Sequence, residues 1–309
     1  MLGIGLAAGL GACGGGGGGG DDDGPADASI PDGPPADAVV GDNPAFVAPT
    51  VVTGAYDGAT RTGDADWTCL GTASGDTPTT VAVTVGGVVS DLQDASREVR
   101  DATVAIFGGS DLDAIAATSA ATGVDGVYSV VAPAGHARYG VRVAATGYQD
   151  TLRFGIALAP STPSQTLALR MVSTPLANAL EAFVGRTHQA TEVQIFGELH
   201  DCAGASVGGA IATVSGSPTA VEHYGAIATY YLDGVTGQPV RGNQLAATDA
   251  SGGFFVFGLP ATAQAYVQVW GYPTAADLAA AQLVLLGVQR IEATADSFVM
   301  TSLEPRRAP

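Results

Sequence analysis

Cysteine and histidine are the residues of this chain best suited to nucleophilic or metal chemistry, and they are few. There are three cysteines and four histidines, at Cys13, Cys69, Cys202, His136, His188, His200 and His223. No histidine stands in an HExxH or HxH motif, so the usual sequence signatures of a catalytic zinc site are missing. His200 and Asp201 lie beside Cys202, but no further ligands follow at a metal-binding spacing. The sequence therefore predicts neither a metal site nor a cofactor.

Two pairs of carboxylates, Asp64/Asp66 and Asp111/Asp113, have a spacing that could in principle serve a glycosidase. Both pairs lie in stretches of small residues, and no cluster of sugar-stacking aromatic residues surrounds them. Aspartates in such stretches are typical of solvated turns. We therefore interpret the chain as a non-enzymatic protein.

The charge of the chain excludes further classes. It carries 30 acidic and 12 basic residues, a net charge of −18, and every basic residue is an arginine. Without lysine there is neither a P-loop lysine nor a Schiff-base lysine. Nucleic-acid binding needs clustered positive charge, which is absent, so no nucleic-acid partner is expected. The acidity is consistent with a protein that stays dispersed outside the cell.

The first cysteine closes a short apolar segment, MLGIGLAAGLGA. The segment is shorter than the roughly 20 residues that span a bilayer, and its length suits the apolar region of a secretory signal. Leu10-Gly11-Ala12-Cys13 resembles the lipobox of bacterial lipoproteins, which implies cleavage before Cys13 and a lipid on its sulfur. No basic residue precedes the segment, although signals usually have one, and a glycine-rich start of a cytoplasmic protein is the alternative.

This resemblance predicts a signal peptide at 1–12 and a lipid-anchored protein of the cell envelope, at the outer membrane. Residues 13–49 contain GGGGGGG, DDD and PADASIPDGPPADA. Such a segment has too little apolar surface to offset its ordering entropy, so we predict a disordered tether. It would hold a folded body roughly 30 Å from its anchor.

The remaining cysteines, Cys69 and Cys202, form the next prediction. Two thiols in an exported protein suggest one disulfide, and two buried free thiols are the alternative. A bond between them would link the start of the first β-like region to the second.

Five strand-like blocks occur twice in the same order. The first has the form V/I-x-G-x-V/L-x-D, with the alternation and β-branched residues of a half-buried strand. A repeat of this length indicates a duplicated domain. The paired blocks are 85–91 and 195–201, 101–109 and 208–216, 122–133 and 248–260, 139–148 and 266–272, and 166–172 and 297–303.

The third block shows the physical logic of the repeat. A glycine turn opens the strand, Tyr128 and Phe255 are predicted to point into the two cores, and Pro133 and Pro260 end the strands because proline cannot donate to the ladder.

The order G-x-V-x-D, A-x-V, T-D-x-x-G-x-Y/F and A-x-G-Y resembles the carboxypeptidase regulatory-like, or transthyretin-like, domain. The resemblance implies an all-β fold of two tandem Ig-like sandwiches that serve as accessory modules. It places them at 50–172, with a core from about residue 78, and at 193–309.

Residues 173–192 form the predicted linker. Leu176, Leu180 and either Phe183 or Val184 give it a helical stripe, with Pro175 in the first turn. Residues 274–286 fit a second helix or a strand equally well.

The aromatic residues Tyr224, Tyr230, Tyr231 and Trp270 are the candidate binding surface, since tyrosines dominate contact patches. The alternative is that these rings alternate into the core. The expected partners are the membrane, through the lipid, and a protein or polysaccharide at the cell surface. The alternative function is an accessory or regulatory subunit of a peptidase or an outer-membrane transporter.

Overall fold

The computed structural model describes residues 65–219, 227–234, 236–240, 245, 247–280 and 282–308. The predicted signal peptide, the lipid attachment at Cys13, the tether and Tyr224 lie outside these ranges. Within them the fold is all-β, as predicted. No helix in the described part of the chain is long and apolar enough to cross a membrane.

The described residues form two sets of strands, separated by a helix. The first set is β1 (Val83–Asp91), β2 (Thr103–Gly108), β3 (Ile115–Thr118), β4 (Val127–Ala132), β5 (Tyr139–Ala144), β6 (Asp150–Ile156), β7 (Ser164–Thr166) and β8 (Leu169–Met171). After α1 (Thr174–Phe183) come β9 (Glu192–Leu199), β10 (Ile211–Ser215), β11 (Ala228–Tyr231), β12 (Gly253–Pro260), β13 (Thr262–Gly271), α2 (Ala275–Ala279), β14 (Val284–Ala293) and β15 (Ser297–Leu303).

The two sets share one pattern of strand pairing. β1 pairs with β4 in antiparallel and with β8 in parallel, and β9 pairs likewise with β12 and β15. The antiparallel run β2-β5-β6 corresponds to β10-β13-β14. The repeated sequence blocks thus occupy equivalent positions in two sandwiches.

The third strand of each set breaks this equivalence. β3 pairs with β2, whereas β11 pairs with β12. The extra strand therefore widens opposite sheets in the two sandwiches.

The two sandwiches are joined through one sheet. β15 pairs in parallel with β6, which gives an eight-stranded sheet in the order β11-β12-β9-β15-β6-β5-β2-β3. We call it the shared sheet. On β6, Leu152 and Phe154 pack in the second core, while Thr151 and Arg153 point to the opposite face. Besides the chain segment that connects them, the two sandwiches are therefore joined by the parallel pairing of β15 with β6.

The duplication extends to a buried side-chain network. Thr122 Oγ1 accepts the Ala102 N–H at 2.9 Å and donates to the Val99 carbonyl at 2.7 Å. In the second sandwich Thr248 Oγ1 makes the same two bonds, to Ala210 and Val207, at 3.0 Å each.

Two glycines of the repeated first block are paired with aromatic residues of the neighbouring strand. Gly87 is paired with Tyr128 on β4, and Gly197 with Phe254 on β12. A Cβ on Gly197 would collide with the Phe254 ring. Phe254, rather than the predicted Phe255, therefore takes the position of Tyr128. Phe255 is also buried, on the opposite face of β12, where it packs against Phe196 at 5.1 Å.

The predicted helix is present as α1, with proline in its first turn. Val184 is buried, whereas Phe183 is 52% exposed, so Val184 is the residue that completes the apolar stripe of the helix. Leu176 and Leu180 pack against a cluster that includes Phe255. Residues 274–286 contain both candidate structures, since α2 is followed by the start of β14.

Candidate functional site

A cleft of about 250 Å³ opens on one face of the shared sheet. Its floor is formed by β5, β6, β15 and β9, and its wall by residues 92–95 and β8. It lies at the join between the two sandwiches. The duplication and the sharing of one sheet together create this concave surface.

Strand register fixes which side chains form the floor. Met300 on β15 is paired with Arg153 on β6 and with Phe196 on β9, so these three side chains form one row. Ser302 and Glu198 form the next row. Register partners on neighbouring strands point to the same face of a sheet, so all five project into the cleft.

Arg153 is the distinctive group of this floor. Within the described residues its guanidinium makes no hydrogen bond or ion pair, although the side chain is partly buried. Burial lowers the pKa of Arg153, and the nearby Tyr128 and Glu198 oppose that effect. An arginine remains protonated at any physiological pH. The floor thus holds a partly desolvated positive charge without a direct partner.

The other charged groups of the cleft have contacts of their own. Arg170 Nη1 donates to the Asp91 carbonyl oxygen at 3.1 Å. Glu198 Oε2 lies 3.5 Å from His200 Nε2. The interaction with Glu198 raises the pKa of His200, against the opposing effect of burial. Among the described residues, Glu198 therefore pairs with His200 and forms no ion pair with Arg153.

An apolar recess of about 40 Å³ adjoins the cleft beneath α1. Leu92 and Phe196 line both cavities. The recess is completed by apolar side chains of α1, β12 and the chain after β11, namely Leu176, Leu180, Leu232, Pro239 and Phe255. The site thus combines a charged floor with an apolar extension.

The predicted disulfide between Cys69 and Cys202 is confirmed, with Cα atoms 5.8 Å apart. Beside it, the Asp66 N–H donates to Asp201 Oδ2 at 2.9 Å. Asp201 Oδ1 also accepts the N–H groups of Ala203 and Ala205, at 3.0 and 2.8 Å. The disulfide, with the hydrogen bonds beside it, therefore fixes the segment that precedes β1 to the end of β9.

The predicted aromatic surface is wrong for the three residues that the structure describes. Tyr230, Tyr231 and Trp270 are 7%, 0% and 5% exposed. Tyr230 packs on Phe257 at 5.7 Å, and Trp270 Nε1 donates to the Gln268 side chain at 3.1 Å. The alternative, that these rings pack inside the protein, is what the structure contains.

The carboxylates Asp111 and Asp113 lie near Glu292, with one oxygen of each within 4.8 Å of the others. Glu292 accepts the Leu112 N–H at 2.8 Å, and Asp111 accepts the Asp113 N–H at 3.0 Å. The bond to Glu292 holds a turn of the first sandwich against the second, and the bond to Asp111 lies within that turn. Asp66 likewise accepts the Thr68 N–H at 2.9 Å, while Asp64 lies outside the described residues.

Sequence reasoning missed Arg153 and Glu198. Each is a charged residue within an otherwise apolar strand pattern, TLRFGI and IFGEL, and that interruption is the available signal. Their proximity depends on the pairing of β15 with both β6 and β9, which the local pattern does not encode.

Comparison with known proteins gives weak structural likenesses only. No protein-family model and no curated protein matches the chain. The Bacillus anthracis TIE protein aligns at 12% identity and a TM-score of 0.24, over 73% of this chain and 34% of that one. The chain therefore spans about a third of that protein's length.

Two pilins align similarly. The shaft pilin of Lactobacillus rhamnosus GG gives 13% identity and a TM-score of 0.23, over 74% of this chain and 98% of that one. A streptococcal ancillary pilin gives 15% identity and 0.22, over 74% and 63%. Likenesses at this level do not assign the chain to a family.

Proposed function

We propose that this chain is an exported, lipid-anchored protein of the cell envelope that acts by binding rather than by catalysis, through the cleft on the shared sheet. The observation that carries the proposal is the disulfide between Cys69 and Cys202. Disulfides form and persist in oxidising compartments and are rare in the cytosol. The folded body is therefore suited to a location outside the cytoplasm.

The anchor in this proposal is Cys13. The lipobox-like Leu10-Gly11-Ala12-Cys13 precedes a segment whose composition suits a tether. One acyl chain binds membranes only marginally, whereas two or more hold a protein stably. A diacylated cysteine would meet that requirement, and we place the protein at the outer membrane.

Binding rather than catalysis is favoured by the state of the reactive residues. Cys69 and Cys202 are bonded to each other, so neither offers a thiolate. His188 and His200 contact the carboxylates of Glu181, Asp296 and Glu198 rather than a nucleophile. A concave surface with a few polar groups on an apolar lining is the usual form of a ligand site.

Fractionation of cells that express the chain tests the anchor. Wild-type protein should stay with the membranes after a high-salt wash, and Cys13→Ala should appear in a soluble extracytoplasmic fraction. Ala12→Gly, which keeps a small residue before the cleavage point, is the matched control and should stay with the membranes. Recovery of Cys13→Ala in the salt-washed membranes, or of wild-type protein in the cytoplasm, would contradict the proposal.

A further inference from the structure

The cleft contains a partly buried positive charge, on Arg153, that no described residue pairs with. A buried charge is costly unless it is paired and hydrogen-bonded. Arg153 has no such partner within the described residues, although burial disfavours its charged form. A ligand with an anionic group at this point would pair with the Arg153 guanidinium and offset the free energy that its desolvation costs.

The geometry of the Arg153 guanidinium favours a carboxylate as the anionic group of the ligand. A guanidinium presents a planar fork of donors that matches a carboxylate through two parallel hydrogen bonds. A single negative charge balances Arg153. A dianion would in addition meet the Glu198 carboxylate, two strands away on the same face.

The other residues that line the cleft favour a ligand with an apolar tail. From Arg153 the row continues to Met300 and then to Phe196, about 10 Å away at the usual spacing of strands. Phe196 also lines the apolar recess beneath α1. A ligand held at Arg153 can therefore bury a hydrocarbon tail along Met300 and Phe196.

We propose that the cleft binds a small carboxylate with an apolar tail, its carboxylate on Arg153 and its tail directed along Met300 and Phe196 into the recess. This rests on the proposed function, since it names the ligand class of the same cleft. The chemistry has two sources, a free fatty acid or the C-terminus of an apolar peptide, and the experiment separates them.

Isothermal titration of the full chain carrying Cys13→Ala is the test, because this variant lacks an acyl group that could occupy the recess. Octanoate is the first probe, and 1-octanol is the control without a charge. We expect octanoate to bind at least tenfold more tightly than 1-octanol. Acetyl-Gly-Gly-Leu with a free carboxylate, compared with its amide, tests the peptide source in the same way.

Matched variants locate the binding. Arg153→Gln should weaken octanoate binding at least tenfold, and Arg153→Lys, which keeps the charge but loses the fork, should have an intermediate effect. Arg100→Gln removes one charge from an exposed site paired with Asp101 and should leave the affinity unchanged. Ser302→Trp fills the floor at an exposed position and should abolish binding without relying on charge.

Thermal unfolding of each variant shows that it is folded before it is titrated. Equal affinity for octanoate and 1-octanol, or an affinity that survives Arg153→Gln, would overturn the ligand class. Absence of binding by both octanoate and the peptide acid at millimolar concentration would overturn it as well. These outcomes are independent of the fractionation experiment, which tests the anchor.

Discussion

Arg153 and Glu198 lie on the same face of the shared sheet, on the two strands that flank β15, and they form no ion pair within the described part of the chain. Glu198 instead contacts His200, the residue that follows the end of β9. A cation and an anion that lie close together yet unpaired leave the cation available to a ligand. This arrangement exists only because β15 pairs with one strand from each sandwich.

The contact between Glu198 and His200 gives a pH-dependent prediction. The Glu198 carboxylate raises the pKa of His200 above its usual value of 6.5. The stability that this pair contributes is therefore complete below pH 6.5 and is lost as the pH rises through the raised pKa. Glu198→Gln should lower the pKa of His200, as measured by NMR titration of its ring protons.

The matched control for that titration is Glu304→Gln, which removes a carboxylate paired with Arg138 instead. It should leave the His200 titration where it is in the wild-type protein. A pKa for His200 that stays the same in Glu198→Gln would show that another group raises it.

The equivalent threonines of the two sandwiches should have equivalent energetic roles. Thr122→Val and Thr248→Val each leave a buried N–H and a buried carbonyl without their side-chain partner. Each substitution should lower the free energy of unfolding by about 1–3 kcal/mol. Urea unfolding measures this, with the exposed Thr118→Val as the control, for which we expect a change within about 0.5 kcal/mol. A lower free energy of unfolding in only one of the two variants would argue against equivalent networks.

Gly197 should not accept a side chain. Its Cα lies beneath the ring of Phe254, which is fully buried and cannot swing aside. Gly197→Ala should therefore destabilise the protein by about 1–3 kcal/mol through overpacking. Gly75→Ala, where a Cβ meets no atom within 4 Å, should be neutral or slightly stabilising. Similar unfolding free energies for the two variants would disprove the close packing of ring on glycine.

Glu181, on α1, is only 1% exposed, and burial raises its pKa above 4.5. A raised pKa in the folded state means that folding favours the neutral carboxyl more than the unfolded chain does, so the stability is complete below pH 4.5 and declines as the pH rises through the raised pKa. Glu181→Gln, which stays neutral, should unfold at a higher urea concentration than wild type at pH 7. The two should converge near pH 4, and a wild-type advantage at pH 7 would show that the His188 contact outweighs burial.

Local features of this fold follow from the sequence. The repeated G-x-V/L-x-D blocks, the threonine before each turn and the prolines after β4 and within β12 are readable because period-two alternation and turn residues are local signals. The helix α1 is readable from Leu176 and Leu180 for the same reason. The cysteines that remain after Cys13 favour one disulfide, with two free thiols as the alternative, and the structure contains the disulfide.

Pairing between distant strands is not readable in this way. Nothing in the local pattern distinguishes β3, which joins β2, from β11, which joins β12, and the contact of β6 with β15 joins segments about 150 residues apart. The cleft depends on that contact, so Arg153 could not be placed in it. Tyr230 and Tyr231 look like a surface patch, but Tyr231 belongs to the core between the sheets and Tyr230 to the cluster that includes residues of α1, so both rings are buried.

Intact-mass spectrometry of the protein purified from the membranes of its own cells is the sharpest test of an exported, lipid-anchored chain. We expect a chain that begins at Cys13, carries a diacylglycerol there, and gains about two mass units on reduction as the bond between Cys69 and Cys202 opens. A full-length, unacylated chain that begins at Met1, with Cys69 and Cys202 as free thiols, would contradict it.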